Sequence, residues 1–453
     1  MNIKVFIILL MLIKSVAAQN FKLMRHEENY VSFVDSPKTF YHRLKHLPIA
    51  PSQGIYLTVG GELRAELDYI QNENWGINQE GRDLFVLQRY QLHTDLHLGR
   101  RIRIFGQLRS GLEDGRKNGP RPIDEDKLNV QNLFIDLVPY QREGKSLLLR
   151  LGRQELRYGS GRLIDVRDGP NLRLYFDGVK MIYSTQHMQV DAFVMSDGKV
   201  KSGVMDNVSN KEANLWGLYS TFNNLLASNF DMYYLGIRRS MSVYDAGVGS
   251  ETRHTIGTRI WNNKNPFIYN LETAVQFGKF GQRNIRAFAL SSEIGYSIKQ
   301  VKGLPMVKLK ADYISGDGDR EDSRLGTFQA LYPNGGYFGM NAQLGPANLI
   351  SLHPSLHWTL AQQFSFSLES VINWRNSLED GVYNPNGSFR LSSSDSDQRY
   401  IGAAFIHTCT WHINKFIDYN MGFQYFKGGD FVEDVVAQHK DVFFVGSMLR
   451  VMF

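Results

Sequence analysis

The chain has 453 residues, with 51 Lys and Arg against 45 Asp and Glu and a formal charge of +6. That excess is too small and too dispersed for nucleic-acid binding, which needs basic side chains gathered on one face. The single cysteine, Cys409, excludes an internal disulfide and reads as a small apolar residue.

Residues 1–18 read as a secretory signal: Lys4, an apolar run from Val5 to Ile13, and a small-residue cleavage site at Val16-Ala17-Ala18. The apolar run is too short to span a bilayer. Its removal takes away Lys4 and Lys14 and lowers the formal charge from +6 to +4. Residues 19–54 do not alternate and hold Pro37, Pro48 and Pro51, which predicts a periplasmic lead-in segment.

From Ile55 onward the chain changes character. Ile55, Leu57, Val59, Leu63, Ala65 and Leu67 share one parity, while Thr58, Glu62, Arg64, Glu66 and Asp68 share the other. Fifteen residues at about 3.3 Å each can cross a bilayer at a tilt. Only a helix or a closed barrel can span lipid, because unpaired backbone groups there cost several kcal/mol. No later stretch has the ~18 continuous apolar residues of a membrane helix. The repeated dyads therefore predict an all-β transmembrane antiparallel β-barrel filling 55–453 as one domain.

Eighteen strands are expected near 55–69, 83–99, 101–112, 129–138, 146–157, 177–185, 188–196, 213–222, 228–239, 252–262, 267–280, 284–299, 305–316, 347–360, 363–375, 398–411, 413–427 and 441–453. Gly99-Arg100, Thr185-Gln186-His187, Ala361-Gln362 and His412 read as tight periplasmic turns. Long polar connections fall at 113–128, 158–176, 317–346, 376–397 and 428–440, as extracellular loops of a barrel would. The 28 Phe, 22 Tyr and 6 Trp suit aromatic girdles at the two membrane interfaces.

Two blocks carry a family resemblance. The first is GRQELRYGSGRLIDVRDGPNLRLYFDG at 152–178. The second runs through Ser315-Gly-Asp, Gly326-Thr-Phe, Leu331-Tyr-Pro, Tyr337-Phe-Gly, Gly345-Pro, Asn348-Leu-Ile and His353-Pro. In this order they resemble the alginate export family of outer-membrane barrels, from about 55 to 453. The resemblance implies an 18-stranded monomer in the outer membrane of a Gram-negative bacterium, passing a polyuronate through a narrow, arginine-lined pore. The chain's end, Phe443 to Phe453, resembles the signal read by the barrel-assembly machinery.

Arginines on polar parities include Arg64, Arg89, Arg103, Arg109, Arg150 and Arg375; the first block adds Arg153, Arg157, Arg162, Arg167 and Arg173. Glu155, Asp165, Asp168 and Asp177 stand among them. A guanidinium fork donates two parallel hydrogen bonds to a carboxylate and stays charged. The expected pore lining is Arg64, Arg89, Arg109, Arg150, Arg153, Glu155, Arg157, Arg167, Asp177 and Arg375, with Arg153, Arg157 and Asp177 preferred because the motif is densest there. The competing reading is that these side chains form structural ladders bracing the wall. The glycine-rich, charged segment 158–176 is expected to fold inward as a constricting loop.

Other signals are weak. Asp317 and Asp319 lie in an acidic loop that lacks the full spacing of a calcium site. The histidines show no zinc spacing, Gly159-Ser-Gly161 lacks the following lysine of a nucleotide loop, and no Gly-x-Ser-x-Gly elbow occurs. The sequence thus predicts no cofactor and no enzyme. The reading is a passive channel for anionic oligo- or polysaccharide, with a general or specific porin for small anionic solutes as the alternative. A barrel enzyme and a plugged adhesion barrel are rival classes.

Overall fold

The computed structural model describes residues 21–31, 33, 39–79, 81–225, 227–264, 266–361, 363–394 and 396–453. The expected signal peptide lies outside the described residues. Eighteen antiparallel strands follow one another around the barrel: β1 Ile55–Gln71, β2 Arg82–Leu98, β3 Ile102–Asp114, β4 Asp126–Arg142, β5 Lys145–Gln154, β6 Phe176–Ser184, β7 Met188–Lys199, β8 Val208–Leu225 and β9 Ser228–Tyr244. They continue as β10 Gly247–Asn262, β11 Phe267–Phe280, β12 Arg283–Ser297, β13 Met306–Ile314, β14 Leu349–Ala361, β15 Phe364–Arg375, β16 Tyr400–Asn414, β17 Ile417–Gly428 and β18 Val442–Met452. β18 then pairs with β1, from Glu62↔Met452 to Gln71↔Phe443, so no edge is left open along that seam. All eighteen expected strands are present. One turn differs: His412 lies inside β16, and the reversal is at Lys415 and Phe416. The imidazole at His412 faces its register partner Asp418, with Nδ1 2.6 Å from Oδ1, which extends the hairpin past the expected turn.

The alternation sorts side chains by face. Ile256, Val275 and Phe288 are cross-strand neighbours, and each is 40–51% exposed. Leu309 and Ile294 continue such an apolar row. A water-exposed sheet would not keep so broad an apolar belt, whereas lipid favours it. Phe267 against Tyr296 and Phe364 against Trp411 lie at the tight-turn end of the belt, and Tyr313 against Phe288 lies nearer the other end. No helix among the described residues is long and apolar enough to cross a membrane.

Short turns lie at the rim holding Ile55 and Phe453, the periplasmic rim of such a barrel. At the opposite rim, connections 155–175, 315–348 and 376–399 fold into the barrel. The first two pair inside it: Asp165 N donates to Tyr332 O at 2.9 Å and Tyr332 N to Leu163 O at 2.8 Å. Leu156, Leu163, Ile164, Phe328, Leu331 and Phe338 pack there with inward wall residues Phe176, Leu215 and Ile237. The apolar core therefore sits inside the extracellular half of the lumen, and a polar cavity is left below it.

The lead-in segment does not simply hang below the barrel. Leu47–Ala50 pairs with the start of β1 (Leu47↔Leu57), covering an edge that β18 is too short to reach. The short helix α1, Phe40–Lys45, lies at the periplasmic mouth, where Thr58 Oγ1 donates to Lys45 O at 2.7 Å.

Candidate functional site in the barrel lumen

The inward arginines mostly hold the loops. Arg64 Nη1 donates to Asp168 O at 2.9 Å, and Arg89 Nη1 to Asp168 Oδ1 at 2.8 Å. Arg109 joins three groups: Asp126 Oδ2 at 2.6 Å, Gln131 Oε1 at 2.5 Å and the carbonyl of Arg173 at 2.9 Å. Arg173 Nε lies 3.1 Å from Glu155 Oε1, so Glu155 is enclosed in the same latch. These contacts fasten segment 155–175 to β1–β4. Burial alone would raise the Asp168 carboxyl, but Arg89, Arg173, Arg64 and Arg450 outweigh it and hold Asp168 well below the usual carboxylate range.

The other two loops are held the same way. Arg253 Nη1 donates to Thr327 O at 3.0 Å and Arg239 Nη2 to Leu331 O at 3.0 Å. Arg375 is wholly buried and donates to the carbonyls of Gln398, Ser396 and Leu378. Arg167 bonds Pro333 O at 2.9 Å, joining the first loop to the second. For Arg64, Arg89, Arg109, Arg167 and Arg375 the bracing reading describes the contacts.

Arg153 and Asp177 are elsewhere. They are register partners in a row that continues to Leu133 on one side and Ser196 on the other, and Leu133 is 54% exposed on the outer face. The Arg153 fork grips Asp177 at 2.8 and 3.0 Å, clamping β5 to β6 on the outside near the loop rim. Both preferred lining residues are therefore corrected to outward positions.

Below the loops lies a periplasm-facing vestibule of about 2260 Å³. Its lining holds ten Lys and Arg residues against six Asp and Glu. Arg150 and Arg103 reach it but are paired, with Asp136 and Asp95. Lys180 Nζ lies 2.8 Å from Asp191, which also accepts from Tyr158 OH at 3.0 Å and from Gln189 Nε2 at 2.9 Å. Arg157 differs: its Nε lies 3.1 Å from Asp165, while its side chain is 39% exposed at the vestibule's inner end. A stack of Tyr158, Tyr219 and Tyr233, at centroid spacings of 4.7 and 5.3 Å, backs that end.

Lys180 and Asp191 were missed in the sequence, although both sit on inward parities. Arg25 and His26 in the lead-in carried no periodic signal at all. Asp317 Oδ1 accepts backbone N–H groups of Gly318 and Gly326, and Asp319 Oδ1 that of Glu321. Among the described residues no three metal-ligating side chains converge, so the calcium reading has no ligand set to rest on.

Comparison with known proteins fits this geometry. The family model for alginate export matches residues 55–445. The chain belongs to the alginate export family. No curated protein matches it by sequence. Among solved structures it is similar to a BenF-like porin from Pseudomonas fluorescens Pf-5 (TM-score 0.59, 8% identity, 88% of this chain and 98% of that one). It is also similar to Pseudomonas aeruginosa OccK2 (OpdF), solved in complex with glucuronate (0.57, 9%, 88% and 98%). A third is P. aeruginosa OpdK with vanillate (0.57, 10%, 87% and 98%). This member of the alginate export family is a porin-type barrel of the Gram-negative outer membrane, a channel in family and fold.

Proposed function

We propose that the protein is a passive channel for anionic solutes bearing carboxylates, with uronate oligomers or polymers as the passengers it fits best. The observation that carries the reading is the excess of cationic side chains around the vestibule, ten against six, in a low-dielectric wall that focuses their field. Arg157 presents an incompletely paired guanidinium there, suited to a carboxylate. Acidic neighbours such as Asp165 and Asp191 moderate that attraction, and conduction needs release as much as capture. The arginines that latch the loops act indirectly, by setting how much of the lumen stays open.

The alternative passenger, a small organic anion, is favoured by the loops that crowd the extracellular half of the lumen. We further propose a monomer, delivered to lipid by the barrel-assembly machinery through β18 and Phe453. Planar bilayers with a KCl gradient test the channel reading. An anion-selective reversal potential with block by tetragalacturonate supports uronate passage; anion selectivity without block supports small anions; cation selectivity overturns both.

A further inference from the structure

The lead-in residues 21–31 enter the vestibule ahead of α1 and lie across it. At the seam, Arg25 is 3% exposed and donates to Gly61 O at 2.9 Å and to the main-chain oxygen of Phe453 at 3.0 Å. His26 lies edge-on to Phe105 at 5.8 Å and to Phe134 at 5.3 Å, on the β3–β4 wall. Leu23 reaches the inward loop.

How this strap is held bears on what it does. Arg103 Nη2 donates to His26 O at 2.7 Å beside its pair with Asp95, and Arg173 Nη2 donates to Leu23 O at 2.8 Å beside its contact with Glu155. Two guanidinium donors aimed into the lumen thus bind carbonyl oxygens of the chain itself. Donors of this kind serve equally for a solute's carboxylate, and more strongly because that oxygen is charged. No residue of 21–31 belongs to a strand; Arg25–Glu27 forms a single 3-10 turn. The strap can therefore leave without breaking a rung of the barrel ladder. Leu47–Ala50, paired to β1, would keep it tethered at the mouth.

We propose that residues 21–31 are an internal plug. Their carbonyls occupy Arg103 and Arg173 in place of a solute's oxygens, and an anionic passenger displaces the strap to traverse the vestibule. This rests on the anion-channel reading above.

The test compares the whole barrel with a variant lacking residues 21–31, both first shown to be folded by heat-modifiable migration. In KCl, single-channel conductance is expected to rise at least twofold, and the blocking concentration of tetragalacturonate to fall at least tenfold. A synthetic peptide of residues 21–31 added on the periplasmic side should restore the smaller conductance, and on the other side should not. Wild-type conductance and block in the folded deletion variant would overturn the plug. If the deletion does not fold, Arg25→Gln keeps the strap but removes its hold on the seam. Flicker to the larger conductance is expected, and steady wild-type current would overturn the proposal. Cation selectivity in both proteins would sink the anion reading, whereas the plug is judged by the conductance change alone.

Discussion

Arg89 has no exposed surface, and its two partners are Glu62 on the wall and Asp168 on the inward loop. Asp168→Asn removes the charge that Arg89 and Arg173 face; Arg89 is buried but Asp168 is half-buried, so the cost is about 2 kcal/mol, below that of a fully buried pair losing one member. The expected result is a lower unfolding temperature and noisier current. Because Asp168 is held below its ordinary range, its contribution is complete at neutral pH and is lost as pH falls through the acid range. Arg157→Gln should behave in the opposite way. Its side chain is open to the vestibule, so stability stays put while the anion-to-cation permeability ratio drops by about twofold, read from the reversal potential. Parity alone already separated residues that the motif merged. Arg153 shares its parity with Leu149 and Leu151, and Asp177 with Val179 and Met181, so both face outward. Motif density pointed to them because a structural clamp can be as densely patterned as a pore.

The strap and α1 pack together around the buried ammonium of Lys45. Lys45 Nζ has no hydrogen bond and sits 4.8 Å from the Tyr30 ring and 5.8 Å from that of Tyr41. Burial first, then Arg25, pushes its ammonium down to about 7, against the opposing pull of Glu28 and Asp95; His93 lies beside it across Gly60. The folded state thus binds fewer protons here than the unfolded chain between about pH 7 and the ordinary lysine value. Stability of this packing should rise with pH across that window and reach its floor below about pH 7. Protease sensitivity of residues 21–31, followed from pH 6 to 10, should decline in the wild type and be flat in Lys45→Met. At the loop, excision of 160–174 removes Arg162, Arg167 and Arg173 with the latched backbone. A clear rise in conductance is expected, and an unchanged value would mean that the constriction lies elsewhere.

At the scale of the molecule, the apolar belt and the closed ladder act together. Val275 lies midway along β11 and is 51% exposed on the outer face. Val275→Arg should cost about 2–4 kcal/mol, the depth-dependent penalty of a charge facing lipid. The same change at an inward position that lines the open vestibule, such as Thr221, would leave the belt untouched. Unfolding in urea with lipid vesicles, followed by tryptophan fluorescence, separates the two. A similar loss at both positions would argue against the assignment of faces.

The amino-acid sequence by itself determined the strand count, the two faces, the family and the long connections, because a strand's period of two is a local property and lipid enforces it on every crossing. Even there it misplaced a turn at His412, where a side-chain contact to Asp418 extends the hairpin. Only the tertiary structure decided what fills the barrel. Arg64 meets Asp168, Arg25 meets Phe453 and Arg239 meets Leu331, contacts made across the lumen between segments distant in the chain. No periodicity records such contacts. An arginine that latches a loop and one that awaits a solute carry the same side chain on the same parity, and they differ only in whether an internal oxygen has already taken the donor.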